Sequence, residues 1–253
     1  MGGSSASMSQ STTMQNQEPP VVFDKERASS YDKRLTKTAP LFEALHLLIR
    51  VLLSDLPADA RILCVGAGTG AELINLALHF PQWQFTAVDP AAPMLDICRR
   101  RAEEEGVAAR CTFHEGYLAS LPEAEGFDAA TCLLVSHSFM QTEERRRFFQ
   151  EIAVRLRPGG YLVSSDLASD MSSAAYQSLL AVWLRMLRLS DIPEAEVEKF
   201  HAAYGRDAAI LPPAEVASLI GSSGFDAPTL FFQTLLIHAW YARKEALAKS
   251  SRG

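Results

Sequence analysis

Four cysteines are too few and too scattered to staple a fold. Cys64, Cys98, Cys111 and Cys132 form no CxxC pair, and a zinc site would need clustered Cys and His ligands. The expectation is a reducing compartment with no disulfide and no metal, three of the four thiols falling in apolar strand-like runs as small apolar side chains. A basic surplus is also missing: 24 Lys and Arg face 30 Asp and Glu, for a net charge of −6. That argues against a nucleic-acid partner held by phosphate neutralisation. The short runs Arg99-Arg100-Arg101 and Arg145-Arg146-Arg147 read as solvated helix faces. No apolar stretch reaches the ~18 residues of a membrane span. The opening residues lack the basic and apolar regions of a signal peptide. A cytoplasmic protein without a membrane partner is expected. No internal repeat is found.

What is present is a chain of 253 residues, 48% hydrophobic, enough for one large α/β domain. Residues 1–20 are rich in Ser, Thr, Gln, Asn and Gly and end in Pro19-Pro20. Such a segment cannot bury a core and is expected to be a disordered tail, leaving 21–253 as a single domain. Residues 23–56 read as helices that restart at Pro40. There Glu43, His46 and Arg50 form one polar stripe on an otherwise buried helix.

A strand–helix alternation follows. Strands are expected over 61–65, 83–88, 109–113, 127–135 and 161–165. Helices are expected after the first strand, over 93–105 and over 144–156, and Arg157-Pro158-Gly159-Gly160 reads as a turn. This order implies a parallel sheet with helices on both faces. Residues 170–210 carry no strand signal. Tyr176, Leu179, Leu180, Trp183, Leu184 and Leu187 instead recur at helical spacing, which fits a cap of helices over the sheet edge. A short helix through Val216, Leu219 and Ile220 and strand material over 231–242 complete the chain.

The segment with the clearest chemistry is RILCVGAGTGAELINLA. Glycines after a strand permit a sharp turn and a close backbone approach, and the helix start that follows offers N–H groups to polar or anionic ligand groups. A second strand ends at Asp89, 21 residues beyond Gly68, where a carboxylate can accept both ribose hydroxyls of an adenosine. Gly66-x-Gly68-x-x-Ala71 also fits a relaxed dinucleotide fingerprint, so a nicotinamide cofactor stays open on these residues alone.

Five segments in sequence, VGAGTG, AVDPAAPMLDICRRRA, HEGYLASLP, FDAATCLLVSHSF and LRPGGYLVSSD, resemble the class I S-adenosylmethionine-dependent methyltransferases in order and spacing. The resemblance implies a Rossmann-like, doubly wound seven-stranded sheet whose last strand is antiparallel, with a helical lid insert. It implies S-adenosyl-L-methionine as cofactor and a small-molecule acceptor. On this match Gly66, Ala67 and Gly68 line the methionine part of the cofactor, and Asp89 takes the ribose. Pro90 and Met94 flank the adenine, and Gly116, Tyr117 and Leu118 make its second contact. The family often has Asp where this chain has Tyr117, so a backbone contact or ring packing would replace that side-chain bond. Leu134 and Val135 would lie beneath the sulfonium. Tyr31 and Arg34 match the helix that closes over the methionine carboxylate, where Arg34 could pair with it.

The helical start and the segment GFDAPTLFFQTLLIHAWYARK are similar to carboxy-S-adenosylmethionine synthases. Those enzymes need an Arg where this chain has Ala202-Ala203, with only Arg206 close by. That departure favours ordinary methyl transfer. His137, after the fourth strand, is the candidate base or substrate-orienting group. His201, Tyr204, Trp183 and Met186 are further candidates for an acceptor pocket. A homodimer is left open.

Overall fold

The computed structural model describes residues 25–123, 126–190 and 192–246, and side chains of the first helix from residue 39 onward. The expected tail over 1–20 lies outside the described residues. Seven strands form one sheet: β1 Arg61–Val65, β2 Gln84–Asp89, β3 Cys111–Glu115, β4 Phe127–Leu133, β5 Leu156–Leu167, β6 Thr229–Thr234 and β7 Ile237–Arg243. Their order is β3-β2-β1-β4-β5-β7-β6. The first five run parallel, while β7 lies antiparallel to both β5 and β6. The expected doubly wound sheet with an antiparallel last strand is therefore found.

Alternation along the strands divides the core. On one face Ile62 and Cys64 of β1 meet Leu45, Ile49 and Leu53 of helix α1 (Lys25–Leu53) and Leu73 and Leu76 of α2 (Ala71–His79). Leu95 and Cys98 of α3 (Ala92–Glu104) complete that layer. On the other face Leu63 and Val65 join Phe148, Phe149 and Ile152 of α4 (Thr142–Arg155), with Val216 and Ile220 of α7 (Pro213–Gly221). Strands buried on both faces need near-continuous apolar sequence, which LCV and AATCL supply.

Helices α5 (Ala174–Leu189) and α6 (Glu194–Ala203) form the expected insert. Tyr176 and Leu180 of α5 pack on Leu167, Leu236 and Ile237. The insert thus sits over the end of β5 and the start of its antiparallel neighbour β7. Ser173 caps α5 by accepting the Tyr176 N–H at 3.0 Å.

Three expectations are corrected. Helix α1 is continuous through Pro40 and does not restart there. Among its described side chains it fully buries only Leu45, Ile49 and Leu53, leaving Leu47, Leu48 and Val51 exposed beside Glu43, because a helix laid on a sheet buries one face and turns the other to solvent. The Arg157–Gly160 segment is a bulge inside β5: Phe127 pairs with Leu156 and Ala129 with Tyr161, so four residues loop out of register while the strand goes on. Several boundaries also move. Trp83 and Val135 fall outside their strands, and a single 3-10 turn at Ala108–Arg110 precedes β3.

Gly70 caps α2 at φ +81°, where a Cβ would lie 2.4 Å from Cys98 Sγ on α3. Gly70→Ala should lose roughly 2–4 kcal/mol, from left-handed backbone strain plus overpacking. Adding Cys98→Ala should recover the packing share but not the backbone share. Urea denaturation of both variants checks this, and an unchanged midpoint in the single variant would refute the tight α2–α3 approach.

Candidate active site at the carboxyl edge of the sheet

The strand order reverses between β1 and β4, each of which sends its connection to the opposite side. Such a switch opens a crevice at the carboxyl ends of the strands. The sequence-selected glycines border it. Gly66, Gly68 and Gly70 all have positive φ, at 66°, 55° and 81°. Gly66 and Ala67 donate to Val88 O at 2.8 and 3.1 Å, which pins the loop to the end of β2. A Cβ on Gly66 would lie 2.4 Å from Val135 Cγ2, so only glycine lets the β1 and β4 ends come together there. Arg101 of α3 steadies the loop from behind, donating to Thr69 O at 3.3 Å.

Asp89 ends β2 and is buried. Its Oδ2 accepts the Gly68 N–H and its Oδ1 the Ala91 N–H, both at 2.8 Å. Each oxygen keeps lone-pair capacity for another donor. Burial pushes this carboxyl upward, and the hydrogen bonds from Ala91 and Gly68 pull it back. Met94 is buried with its Cε 3.6 Å from where a Gly68 Cβ would stand, and Pro90 is exposed. Gly116 donates to Asp89 O at 3.0 Å, bringing the end of β3 to the same edge. Tyr117 is 61% exposed and its carbonyl accepts from Ser120. Leu118 is a core residue whose carbonyl accepts from Arg155.

Past β4 the chain turns abruptly. Leu134 adopts φ 58°, a conformation that costs a leucine on the order of 1–2 kcal/mol. Its N–H donates to Ser165 O at 2.8 Å, which holds the strained residue against β5. The turn delivers Ser136 and His137 to Asp166 on β5. Asp166 is fully buried, and its Oδ1 accepts the His137 backbone N–H at 2.8 Å and Nδ1 at 3.2 Å. Oδ2 accepts from Ser136 Oγ at 2.6 Å and faces Arg145 Nη2 at 3.1 Å.

Burial alone would raise Asp166, but the His137 hydrogen bond, the Arg145 charge and Ser136 together hold it below the ordinary range. An ionised carboxylate only accepts, so His137 Nδ1 must donate to it, and in the neutral ring Nε2 carries the free lone pair. The same ring position is tied to the insert's return segment: Ala209 N–H donates to His137 O at 2.7 Å and Arg145 donates to Ala209 O at 3.1 Å.

The sequence reading missed this network. Arg145 was expected on a solvated face, yet it is fully buried. Its spacing to Phe148, Phe149 and Ile152, three, four and seven residues on, is the apolar stripe of α4 and was the available signal. Glu72 was missed too. It stands in the first turn of α2, is buried, and accepts from Thr131 Oγ1 at 3.4 Å. Among the other candidates, His201 is exposed, while Met186 and Trp183 are half-buried on α5. Trp183 Nε1 donates to Tyr204 OH at 2.6 Å, joining α5 to the end of α6, and burial pushes the Tyr204 hydroxyl up to about 12. Tyr31 and Arg34 lie on α1, but their side chains are outside the described residues. Among the described residues no group of three His, Cys, Asp or Glu is placed to hold a metal, and no helix is long and apolar enough to cross a membrane.

Residues 62–160, which hold the glycine loop, Asp89 and His137, match the family model described as a methyltransferase domain. Residues 62–160 are thus similar to methyltransferase domains, and the sheet around them has the fold of class I S-adenosylmethionine-dependent methyltransferases. It is 32% identical over 187 residues to a release factor glutamine methyltransferase of Chlorobaculum tepidum, covering 73% of this chain but only 58% of that protein. A carboxy-S-adenosyl-L-methionine synthase of Desulfotalea psychrophila is 20% identical, over 88% of this chain and 91% of its own length. A solved S-adenosylmethionine-dependent methyltransferase of Methanosarcina mazei shares the fold at TM-score 0.58 and 18% identity, over 78% of this chain and 98% of that one. The methyltransferase match ends at residue 160, short of Asp166 and the insert that touches His137.

Asp166→Asn should cost roughly 3–5 kcal/mol at pH 7, because Arg145 stays buried without its counter-charge. The native carboxyl titrates below the ordinary ~3.9. Its contribution is therefore complete above that range and lost as pH falls through the lowered value. Urea unfolding from pH 5 to pH 2.5 should show a steep fall for the wild type and a shallower one for the variant. Parallel curves would remove Asp166 from this role.

Proposed function

We propose that this chain transfers the methyl group of S-adenosyl-L-methionine to a small-molecule acceptor. One domain over residues 21–253 would do so, with 23–56 and 170–210 as its helical cap. The observation that carries the reading is the Asp89 carboxylate, fixed by two backbone N–H groups at the switch point beside a glycine loop. A buried acceptor pair of that kind suits the two hydroxyls of a ribose. The donor set fits the rest of the cofactor. Gly66, Ala67 and Gly68 let the methionine portion approach the backbone, Met94 and Pro90 offer an apolar wall to the adenine, and Gly116 with Tyr117 and Leu118 closes its other side. Leu134 and Val135 lie at the β4 end, where the reactive carbon belongs. Tyr31 and Arg34 are assigned to the methionine carboxylate.

The cofactor, when bound, supplies an already activated methyl group. The protein must then align the acceptor and exclude water. Helices α5 and α6 stand over that edge and are the lid. His137, with Nδ1 held by Asp166, presents Nε2 as a base to a protonated acceptor. The acidic net charge supports a metabolite over a nucleic acid, and the four free thiols, three of them buried, support a cytoplasmic location.

A second reading is favoured by one observation: the nearly full-length match to a carboxy-S-adenosyl-L-methionine synthase. Against it, the nearest arginine to the expected position, Arg206, is exposed and paired with Asp207 at 2.6 Å.

Native mass spectrometry of the purified protein should release S-adenosylmethionine or S-adenosylhomocysteine. A carboxylated cofactor would establish the second reading instead, and a nicotinamide dinucleotide would remove both. Asp89→Ala should weaken cofactor binding by about 2–4 kcal/mol through two lost hydrogen bonds. Calorimetry showing unchanged affinity would sink that assignment. With an acceptor in hand, His137→Ala should slow turnover by about 10²–10⁴-fold while cofactor affinity holds. An equal rate would reduce His137 to packing.

A further inference from the structure

Helix α1 carries two apolar stripes, and the sheet uses one of them. Leu45, Ile49 and Leu53 are buried in the core. On the opposite side Pro40, Ala44, Leu47 and Val51 are exposed, Leu47 by 49% and Val51 by 63%. Steps of four, three and four residues put these side chains on one line along the helix. That is the spacing of the seam between two helices that wind around each other. Contiguous apolar surface of this kind marks an interaction site more often than scattered exposed residues do.

The stripe is a ridge with a groove on each flank. On one side Leu48 and Val51 line an open groove with Tyr161 of β5, Phe231 of β6 and Tyr241 of β7. On the other side Glu43, Leu47 and Arg50 line a second groove beside Asn75 of α2. A ridge between two grooves is self-complementary. A second copy turned about a twofold axis can seat its ridge in one groove and receive the first ridge in its own.

Charge sets the direction of the pairing. Glu43 and Arg50 directly precede Ala44 and Val51, so both flank the seam on the same side. Glu43 is exposed, and Arg50 donates to Asn75 Oδ1 at 3.3 Å. A guanidinium has five N–H donors, so that contact leaves room for a carboxylate. In an antiparallel pair, flanking residues on this side face their own counterparts across the seam. Each Glu43 then meets the partner's Arg50, twice by symmetry, and the small Ala44 lies against the partner's Leu47. A parallel pair would instead set Glu43 against the partner's Leu48. It would also set Arg50 against the partner's Asp55, a carboxylate that Tyr161 and Arg243 already engage.

We propose that α1 is the interface of a homodimer, formed by antiparallel pairing of the exposed stripe from Pro40 to Val51 with the same stripe of a second copy.

Sedimentation equilibrium of the full chain over about 1–100 µM tests this. The weight-average mass should rise with concentration toward twice the 27.7 kDa of one chain. A single 27.7 kDa species at every concentration overturns the pairing, whatever else covers the ridge. Val51→Glu puts a charge on the seam at a position that contributes little to the core. It should weaken the dimer by about 30-fold or more while circular dichroism stays unchanged. A folded variant that dimerises as well as the wild type overturns the assignment, since the interface then lies elsewhere. Glu43→Arg and Arg50→Glu should each weaken association roughly 5- to 30-fold at low salt, because like charges then meet across the twofold axis. The double variant exchanges the two charges and should recover most of that loss. Losses that simply add overturn the antiparallel register. Should Arg50→Glu not fold, Glu43→Arg alone decides: its loss should shrink at about 1 M salt, and a loss indifferent to salt overturns the contact.

Discussion

The buried carboxylate of Asp166 is the constraint on which the site's architecture depends. It accepts from a backbone N–H, an imidazole and a hydroxyl and faces a guanidinium, from elements that are distant in sequence. Through it the end of β5 fixes the turn after β4, and the same Arg145 reaches across to Ala209 to hold the return segment of the insert. A buried ion pair adds little net stability over an apolar replacement, because desolvation offsets the Coulomb gain. What it adds is geometry. An apolar residue could fill the volume but could not orient the His137 ring or select its tautomer.

The irregular backbone gathers along the same edge. Gly66, Gly68, Gly70, Gly116 and Leu134 all hold positive φ, and all lie at or just beyond the carboxyl ends of β1, β3 and β4. Strain at such positions persists only when the surroundings over-determine it. Here the restraints are visible: Val88 O holds Gly66 and Ala67, Asp89 holds Gly68 and Gly116, and Ser165 holds Leu134. Below them β1, and β4 and β5 from Ala129 and Tyr161 onward, run in register and are buried on both faces. They act as the rigid support against which those turns are set.

The layer order, the parallel sheet and the glycine–Asp89 pairing were legible because each has a local signal: an apolar run, a turn residue, a spacing. The Asp166 network was not, although Asp166 stood in a quoted motif and Arg145 in a noted basic run. A charged residue on a helix is solvated far more often than buried, and only its phase with Phe148 and Phe149 set Arg145 apart. The exposed Leu47, Leu48 and Val51 failed for the opposite reason. Composition gives the apolarity of α1, whereas the width of its buried stripe depends on what packs beside it. The bulge in β5 escaped because Pro158-Gly159-Gly160 signals a turn equally well whether the strand stops or continues.

The distribution of charge at this edge adds a last step. Three buried carboxyl groups stand along it: Asp89 on β2, Glu72 on α2 and Asp166 on β5. Their environments divide them. Asp166 has Arg145 and is held low, while Asp89 and Glu72 have only neutral donors and are pushed up. Among the described residues the fold has thus paired the acid beside His137 with a guanidinium and given the two beside the glycine loop only neutral donors. Burial penalises an ionised carboxylate that lacks a counter-charge, so the two ends of one sheet edge differ in electrostatics although their strands are equivalent in the sheet.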